Sequence, residues 1–177
     1  MTKLHLNEID INRIQTIIRQ IQENPDLSDK LAKSIWKSRV LWTGNFHTTA
    51  FSRELNPIEI DQVDWLTGDN RGFSPQELLL ASLGSSVAIV FVTNATALGV
   101  TLEMLEIEIE GELDIPSGLG IYNGFPGYNN ISITIEVKSN APVEVLEMIQ
   151  EKTIKLSPVA NTLESPVQIA TNLKIIK

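Results

Sequence analysis

The sequence predicts an α+β fold organised around one long, uncharged helix. Three observations lead there. Leu78–Leu102 contains no charged residue and follows a helix-start signal. Two later segments, Leu105–Asp114 and Ile131–Val137, alternate apolar and polar residues with the two-residue period of a half-buried strand. Strands and helices fall in groups, β-β-β-α-β-β-α-β after a leading helix, where a parallel α/β sheet would alternate strictly.

The elements follow in chain order. Glu8–Glu23 carries Ile11, Ile14, Ile17, Ile18 and Ile21, a one-sided helical stripe that Asn24-Pro25-Asp26 stops. Residues 1–33 therefore read as an amphipathic helical extension, and residues 34–177 as the main domain. From Ser34 the period changes: Trp36, Val40 and Trp42 alternate with Lys37 and Arg39, a strand ending at Thr43-Gly44-Asn45. Phe46–Arg53 returns as its hairpin partner and Pro57–Asp64 forms a third strand. Thr67–Gly72 is a loop by composition. The long helix opens at Ser74-Pro75-Gln76-Glu77, with Ser74 as cap, Pro75 first and Glu77 third, and stops at Gly99. In Leu105–Asp114 one face is Leu105, Ile107, Ile109 and Leu113; the other is an acidic ladder. Pro116–Asn130 is a Gly-rich loop, Ile131–Val137 a strand, and Pro142–Leu156 a second helix. Val167, Ile169, Thr171, Leu173 and Ile175 are expected to close the chain as a last strand.

An uncharged helix needs apolar cover on every side, and one small sheet gives it on one side only. Ala81, Gly84, Ser85 and Ala88 form a small-residue stripe that lets a second helix approach closely. A homodimer with two such helices at its centre satisfies both features.

Composition removes several functions. The chain has 177 residues, 14 basic and 22 acidic, for a net charge of −8 and no basic run. Phosphate contacts need clustered Lys and Arg, so no nucleic-acid partner is expected. There is no cysteine, which excludes disulfides, thiolate metal ligands and thiol nucleophiles on this chain. Met1–Asp10 is no signal peptide, since it has Glu8 and Asp10 and no apolar run. Leu78–Leu102 could cross a bilayer core of roughly 30 Å. Its serines, threonines and Asn94, and the flanking Glu77 and Glu103, favour a buried helix of a cytoplasmic protein instead.

Searches for catalytic patterns return little. Gly84-Ser85-Ser86-Val87-Ala88 is no nucleophile elbow, because it lies inside a helix and lacks the second glycine. His5 and His47 are the only histidines; they lie far apart in sequence and give no metal-ligand spacing. Neither a metal nor a cofactor is expected. Gly118-Leu119-Gly120-Ile121-Tyr122-Asn123-Gly124 sits between strands and is no dinucleotide fingerprint.

Two segments carry a family resemblance. Ser74–Ser86, with its Pro75-Gln76-Glu77-Leu78-Leu79 start, resembles the central helix of the OsmC/Ohr hydroperoxide reductases, and Leu156–Leu163, with Ser157-Pro158-Val159, resembles a later family segment. Together with the element order, the resemblance spans about Ser34 to Ile176. It implies an OsmC-like fold, an intertwined homodimer with two central helices, and two sites at the dimer interface. It also implies a chemistry this chain lacks. The family's attacking cysteine falls eleven residues after Pro75, at Ser86, and its second cysteine falls at Ser157. Glu77 matches the family's Glu. The first hairpin, Asn45-Phe46-His47-Thr48, offers no activating Arg, and Arg53 and Arg71 are candidates by position only.

Peroxide reduction needs a thiolate that can become a sulfenic acid, and a serine hydroxyl has no such oxidation ladder. No residue is therefore assigned as catalytic. The expected function is a non-catalytic OsmC-like dimer with a repurposed pocket for a small apolar or lipid-like ligand, drawn from Ser86, Ser157, Glu77, Arg71 and His47. The alternatives are a residual enzyme using Ser86, and a structural or partner-binding role through the N-terminal helix.

Overall fold

The computed structural model describes residues 5–176. In chain order the elements are β1 (His5–Leu6), β2 (Ile9–Asp10), α1 (Ile11–Glu23), α2 (Pro25–Ala32), β3 (Arg39–Gly44), β4 (His47–Phe51), β5 (Ile58–Ile60), a 3₁₀ turn at Asp64–Leu66, α3 (Pro75–Ala97), β6 (Leu102–Leu113), α4 (Ile115–Gly118), β7 (Tyr128–Ser139), α5 (Val143–Leu156) and α6 (Pro158–Glu164). The class is α+β, with antiparallel pairing throughout the named strands.

The long helix α3 forms where the sequence places it because both ends are closed chemically. At the start, Ser74 Oγ accepts from the Glu77 N–H at 3.2 Å, and Glu77 Oε2 accepts from the Ser74 N–H at 2.7 Å. This reciprocal box satisfies two backbone donors that the first turn would otherwise leave unpaired. At the end, the Val100 N–H reaches back to the Ala95 carbonyl at 2.9 Å and the Gly99 N–H to Thr96 at 3.1 Å. That closure requires a left-handed residue, and Gly99 supplies it with φ of 73°.

One side of α3 is buried at Leu83, Val87, Phe91, Asn94 and Ala95, a spacing of three and four. Leu83 and Val87 pack with Ala160 against Ile107, Ile109, Ile131 and Ile133; Phe91 and Ala95 pack with Val100 and Ile149 against Leu105, Ile135 and Val137. The β6–β7 hairpin supplies this floor. Its register sets Ile107 opposite Ile135 and Ile109 opposite Ile133, so the isoleucines share one face and the glutamates of β6 the other. Gly111 is required on β6, since a Cβ there would lie 2.6 Å from the Tyr128 ring. Tyr128 in turn donates to the Gln76 carbonyl at 3.1 Å and ties β7 to the start of α3. By length and composition α3 could cross a membrane; here it is a core helix packed on β6, α5 and α6.

Three expectations need correction. The expected last strand does not form among the described residues: 166–176 has no regular structure, and Ile169 is 86 % exposed. A strand forms only by pairing with an edge, and among the described residues the tail pairs with none of the sheet edges. Second, Asn24-Pro25-Asp26 stops α1 at Glu23 as expected, but a further helix that the sequence pattern did not show begins at once. Asn24 terminates α1 and caps α2, its Oδ1 accepting from the Leu27 N–H at 3.1 Å with Pro25 at the first position. Third, residues after Leu156 form α6, and the loop 116–130 contains the end of the α4 turn and the start of β7.

The arm before α1 is pinned by one side chain. Asn7 Nδ2 donates to Thr96 Oγ1 at 3.0 Å and to the Val100 carbonyl at 2.9 Å, while Asn7 Oδ1 accepts from the Leu102 N–H at 2.9 Å. In contrast, α1 and α2 bury no residue. The sheet β3-β4-β5 also leaves much of its apolar surface uncovered, with Val40 55 % and Trp42 73 % exposed. The chain exposes 13844 Å² in all, whereas a compact monomer of this mass exposes about 8,600 Å².

Candidate functional site

Ser86 stands on α3, half-buried, one residue before the core position Val87. Ser157 stands at the junction of α5 and α6, where it ends one helix and caps the next. Its N–H donates to the Thr153 carbonyl at 2.9 Å, its carbonyl accepts from Asn161 Nδ2 at 2.7 Å, and its Oγ accepts from the Ala160 N–H at 3.3 Å. These bonds fix a fully buried side chain in one orientation. The result is a direct hydrogen bond between Ser86 Oγ and Ser157 Oγ at 2.9 Å. Two positions 71 residues apart, both marked by the family resemblance, are thus in contact.

Near the pair lies a cleft of about 280 Å³, which neither serine lines. Leu83 and Ala160 line it, three residues before Ser86 and three after Ser157, and Ile131, Ile133 and Leu163 add apolar wall. Asn129, Asn130 and Glu164 give it polar rim groups. The described residues therefore present two mutually hydrogen-bonded hydroxyls near a cleft of mixed polar and apolar lining, with no carboxylate or imidazole hydrogen-bonded to either hydroxyl.

The other expected residues fall elsewhere. Glu77 is committed to the capping box. It precedes Ser86 by nine residues on the same helix, about 13 Å along the axis. Burial, and secondarily the negative charge of Glu77, hold the Tyr128 phenol above its usual range.

His47 and Arg71 do meet, in a second cluster that includes two residues the sequence reading missed. His47 Nε2 lies 2.8 Å from Asp69 Oδ2 and 3.3 Å from Asp61 Oδ2. Arg71 spans the outside, with Nη2 3.3 Å from Asp69 Oδ2 and Nη1 3.3 Å from His47 Nδ1. Asp61 is buried, and burial raises its pKa. The backbone N–H groups of Arg71, Gln62 and Asp69, with His47 nearby, outweigh that and hold it below the usual carboxylate value. The ligand atoms of His47, Asp61 and Asp69 lie within 4.8 Å of one another, a set that could hold a cation. Sequence spacing gave no sign of it, because the imidazole comes from β4 and the carboxylates from the loop after β5. The acidic spacing Asp61…Asp69 beside Arg71 was the one available hint.

The architecture is that of a two-layer α+β domain whose central helix and following helical junction bring two serines together. The matching family model is described as "OsmC-like protein" and covers residues 68–172. The chain belongs to the OsmC-like family. Solved structures share its fold. An OsmC-like protein from Mycoplasma pneumoniae aligns with a TM-score of 0.64 at 20% identity, over 75% of this chain and 89% of that one. A putative osmotic stress induced and detoxification response protein from Psychrobacter arcticus aligns at 0.61 and 18% identity, over 73% and 89%. An organic hydroperoxide resistance protein OsmC from Legionella pneumophila aligns at 0.55 and 13% identity, over 74% and 90%. No curated protein sequence matches the chain.

Proposed function

We propose that this protein is a cytoplasmic, homodimeric OsmC-like protein that performs no thiol peroxidase chemistry and binds a small apolar molecule in the cleft near Ser86 and Ser157. One observation carries the reading: the hydroxyls at the two family cysteine positions hydrogen-bond to each other at 2.9 Å. The contact fits a site where the family resemblance expects two thiols and this chain carries two hydroxyls. A serine hydroxyl cannot be oxidised to a sulfenic acid, so the contact serves packing or binding. Leu83, Ile131, Ile133, Ala160 and Leu163 in the nearby cleft suit the apolar part of such a molecule, and Asn129, Asn130 and Glu164 suit a polar end group.

The dimer is supported by what one chain leaves uncovered. Leu80, Ala81, Gly84, Ser85 and Ala88 face Leu105, Ile107 and Ile109 across an open groove of about 370 Å³. The unpaired apolar tail and the uncovered β3–β5 sheet add to the excess area. An intertwined partner would bury all three.

Two measurements test the proposal. Wild-type protein with a dithiol and cumene hydroperoxide should consume peroxide at the rate of the dithiol alone; turnover above that rate refutes the loss of chemistry. Native mass spectrometry after incubation with a lipid extract should find a dimer carrying a bound small molecule, weakened by Leu83→Asp in the cleft wall. A ligand-free dimer with every extract refutes the binding role.

A further inference from the structure

We infer that His47, Asp61 and Asp69 form a binding site for a first-row divalent cation of the zinc type. The inference does not rest on the serine pair, which involves none of these residues.

The geometry is the first argument. A tetrahedral ion with bonds of about 2.05 Å to nitrogen and oxygen separates its ligands by roughly 3.3 Å. His47 Nε2 and Asp61 Oδ2 are 3.3 Å apart. Asp69 Oδ2, at 2.8 Å from Nε2, must withdraw by about half an ångström to match that edge. Its side chain is 44% exposed and sits on a loop, so it can do so.

The second argument concerns the imidazole. His47 Nε2 is buried and makes no hydrogen bond, although two carboxylate oxygens lie beside it. The three candidate ligand atoms lie within 4.8 Å of one another, a spacing that a shared ion can bridge, and Asp61 Oδ2 is held in place by the Asp69 and Arg71 N–H groups at 3.1 Å each. Two carboxylates converging on one nitrogen also concentrate negative charge that a divalent ion would neutralise. The imidazole decides the class of ion: Mg²⁺ and Ca²⁺ prefer all-oxygen shells, whereas imidazole suits zinc and its neighbours.

Arg71 supplies a distinctive signature. A guanidinium only donates hydrogen bonds. With Nη1 3.3 Å from His47 Nδ1, it favours the tautomer whose proton is on Nε2. A metal needs the Nε2 lone pair, so the proton must move to Nδ1 or leave, and Arg71 must turn away. Its side chain is 66% exposed and free to turn. Arg71 therefore competes with the ion.

The test is titration of the full chain, freed of metal by a chelator, with Zn²⁺ by calorimetry and with Co²⁺ by visible absorbance. One saturable equivalent per chain is expected. Affinity should fall at least tenfold in His47→Ala and in Asp69→Asn, and should rise in Arg71→Ala. Circular dichroism checks that each variant folds, and Asp69→Asn changes a half-exposed loop side chain with no core contact to lose. Absence of saturable binding, wild-type affinity in both ligand variants, or weaker binding in Arg71→Ala would each overturn the assignment.

Discussion

Replacing both serines with cysteine probes the geometry of the central site directly. Ser86 Oγ and Ser157 Oγ are 2.9 Å apart. A disulfide needs about 2.05 Å between sulfurs, and each Cβ–S bond reaches about 0.4 Å farther than Cβ–O, so Ser86→Cys with Ser157→Cys closes a bridge with little backbone movement. The bridge would enclose 71 residues of chain. Chain entropy for a loop of that length gives a stabilisation of about 4.4 kcal/mol over the reduced form. In a domain of this size that raises Tm by on the order of 10 °C. The assay is thiol titration after mild oxidation, followed by thermal unfolding of the oxidised and reduced double variant. Two free thiols persisting under oxidant, or an oxidised form that melts no higher than the reduced one, would refute the contact on which the site is built.

Further predictions concern the supports of that site. Gly99→Ala should cost about 1 kcal/mol, measured by denaturant unfolding, because φ of 73° is strained for alanine while its Cβ would meet nothing within 4 Å; an unchanged midpoint would contradict the helix-end account. Asp114 latches the loop 118–127, accepting from Ser117 Oγ at 2.7 Å and from Tyr122 Oη at 2.8 Å, and this latch should depend on pH at both ends. Ser117 foremost, through its hydroxyl and then its backbone N–H, with Tyr122 after it, lowers the Asp114 pKa; the Asp114 hydrogen bond foremost, then burial, raises that of Tyr122. A depressed acid stabilises above its unfolded value of about 3.9 and loses that as pH falls through the folded value; a raised phenol stabilises below about 10 and loses that as pH climbs through the folded value. Limited proteolysis should therefore find the loop protected between about pH 4 and 10, and Tyr122→Phe should remove the alkaline limb. A flat profile in the wild type would show that the latch does not hold the loop. Light scattering should return twice the chain mass of 19.6 kDa, and a monomer at micromolar concentration would rule out the dimer.

Much of the fold was legible because local chemistry agreed with tertiary context. Ser74, Pro75 and Glu77 wrote the start of α3, and the isoleucine alternation of β6 and β7 wrote both strands and their buried face. The same cap-plus-proline signal also stood at Asn24-Pro25 and Ser157-Pro158, where it opens α2 and α6. Proline was read there as a stop or as part of a family segment, although at the first helical position its missing N–H costs nothing. The tail failed for a different reason. Val167, Ile169, Leu173 and Ile175 have strand periodicity, but periodicity names a face and not a partner, and among the described residues the tail pairs with no strand.

The functional residues divide along the same line. By itself the sequence determined which chemistry is absent: with no cysteine anywhere, serine fills both positions where relatives are expected to carry thiols, whatever the fold does. It also marked Ser86 and Ser157 as a pair worth testing. Only the tertiary structure decided that their hydroxyls touch, that Glu77 serves the helix start and not the serines, and that His47 meets Asp61 and Asp69. Contacts between a strand and a distant loop depend on how the sheet folds back, and no spacing rule along the chain encodes that distance.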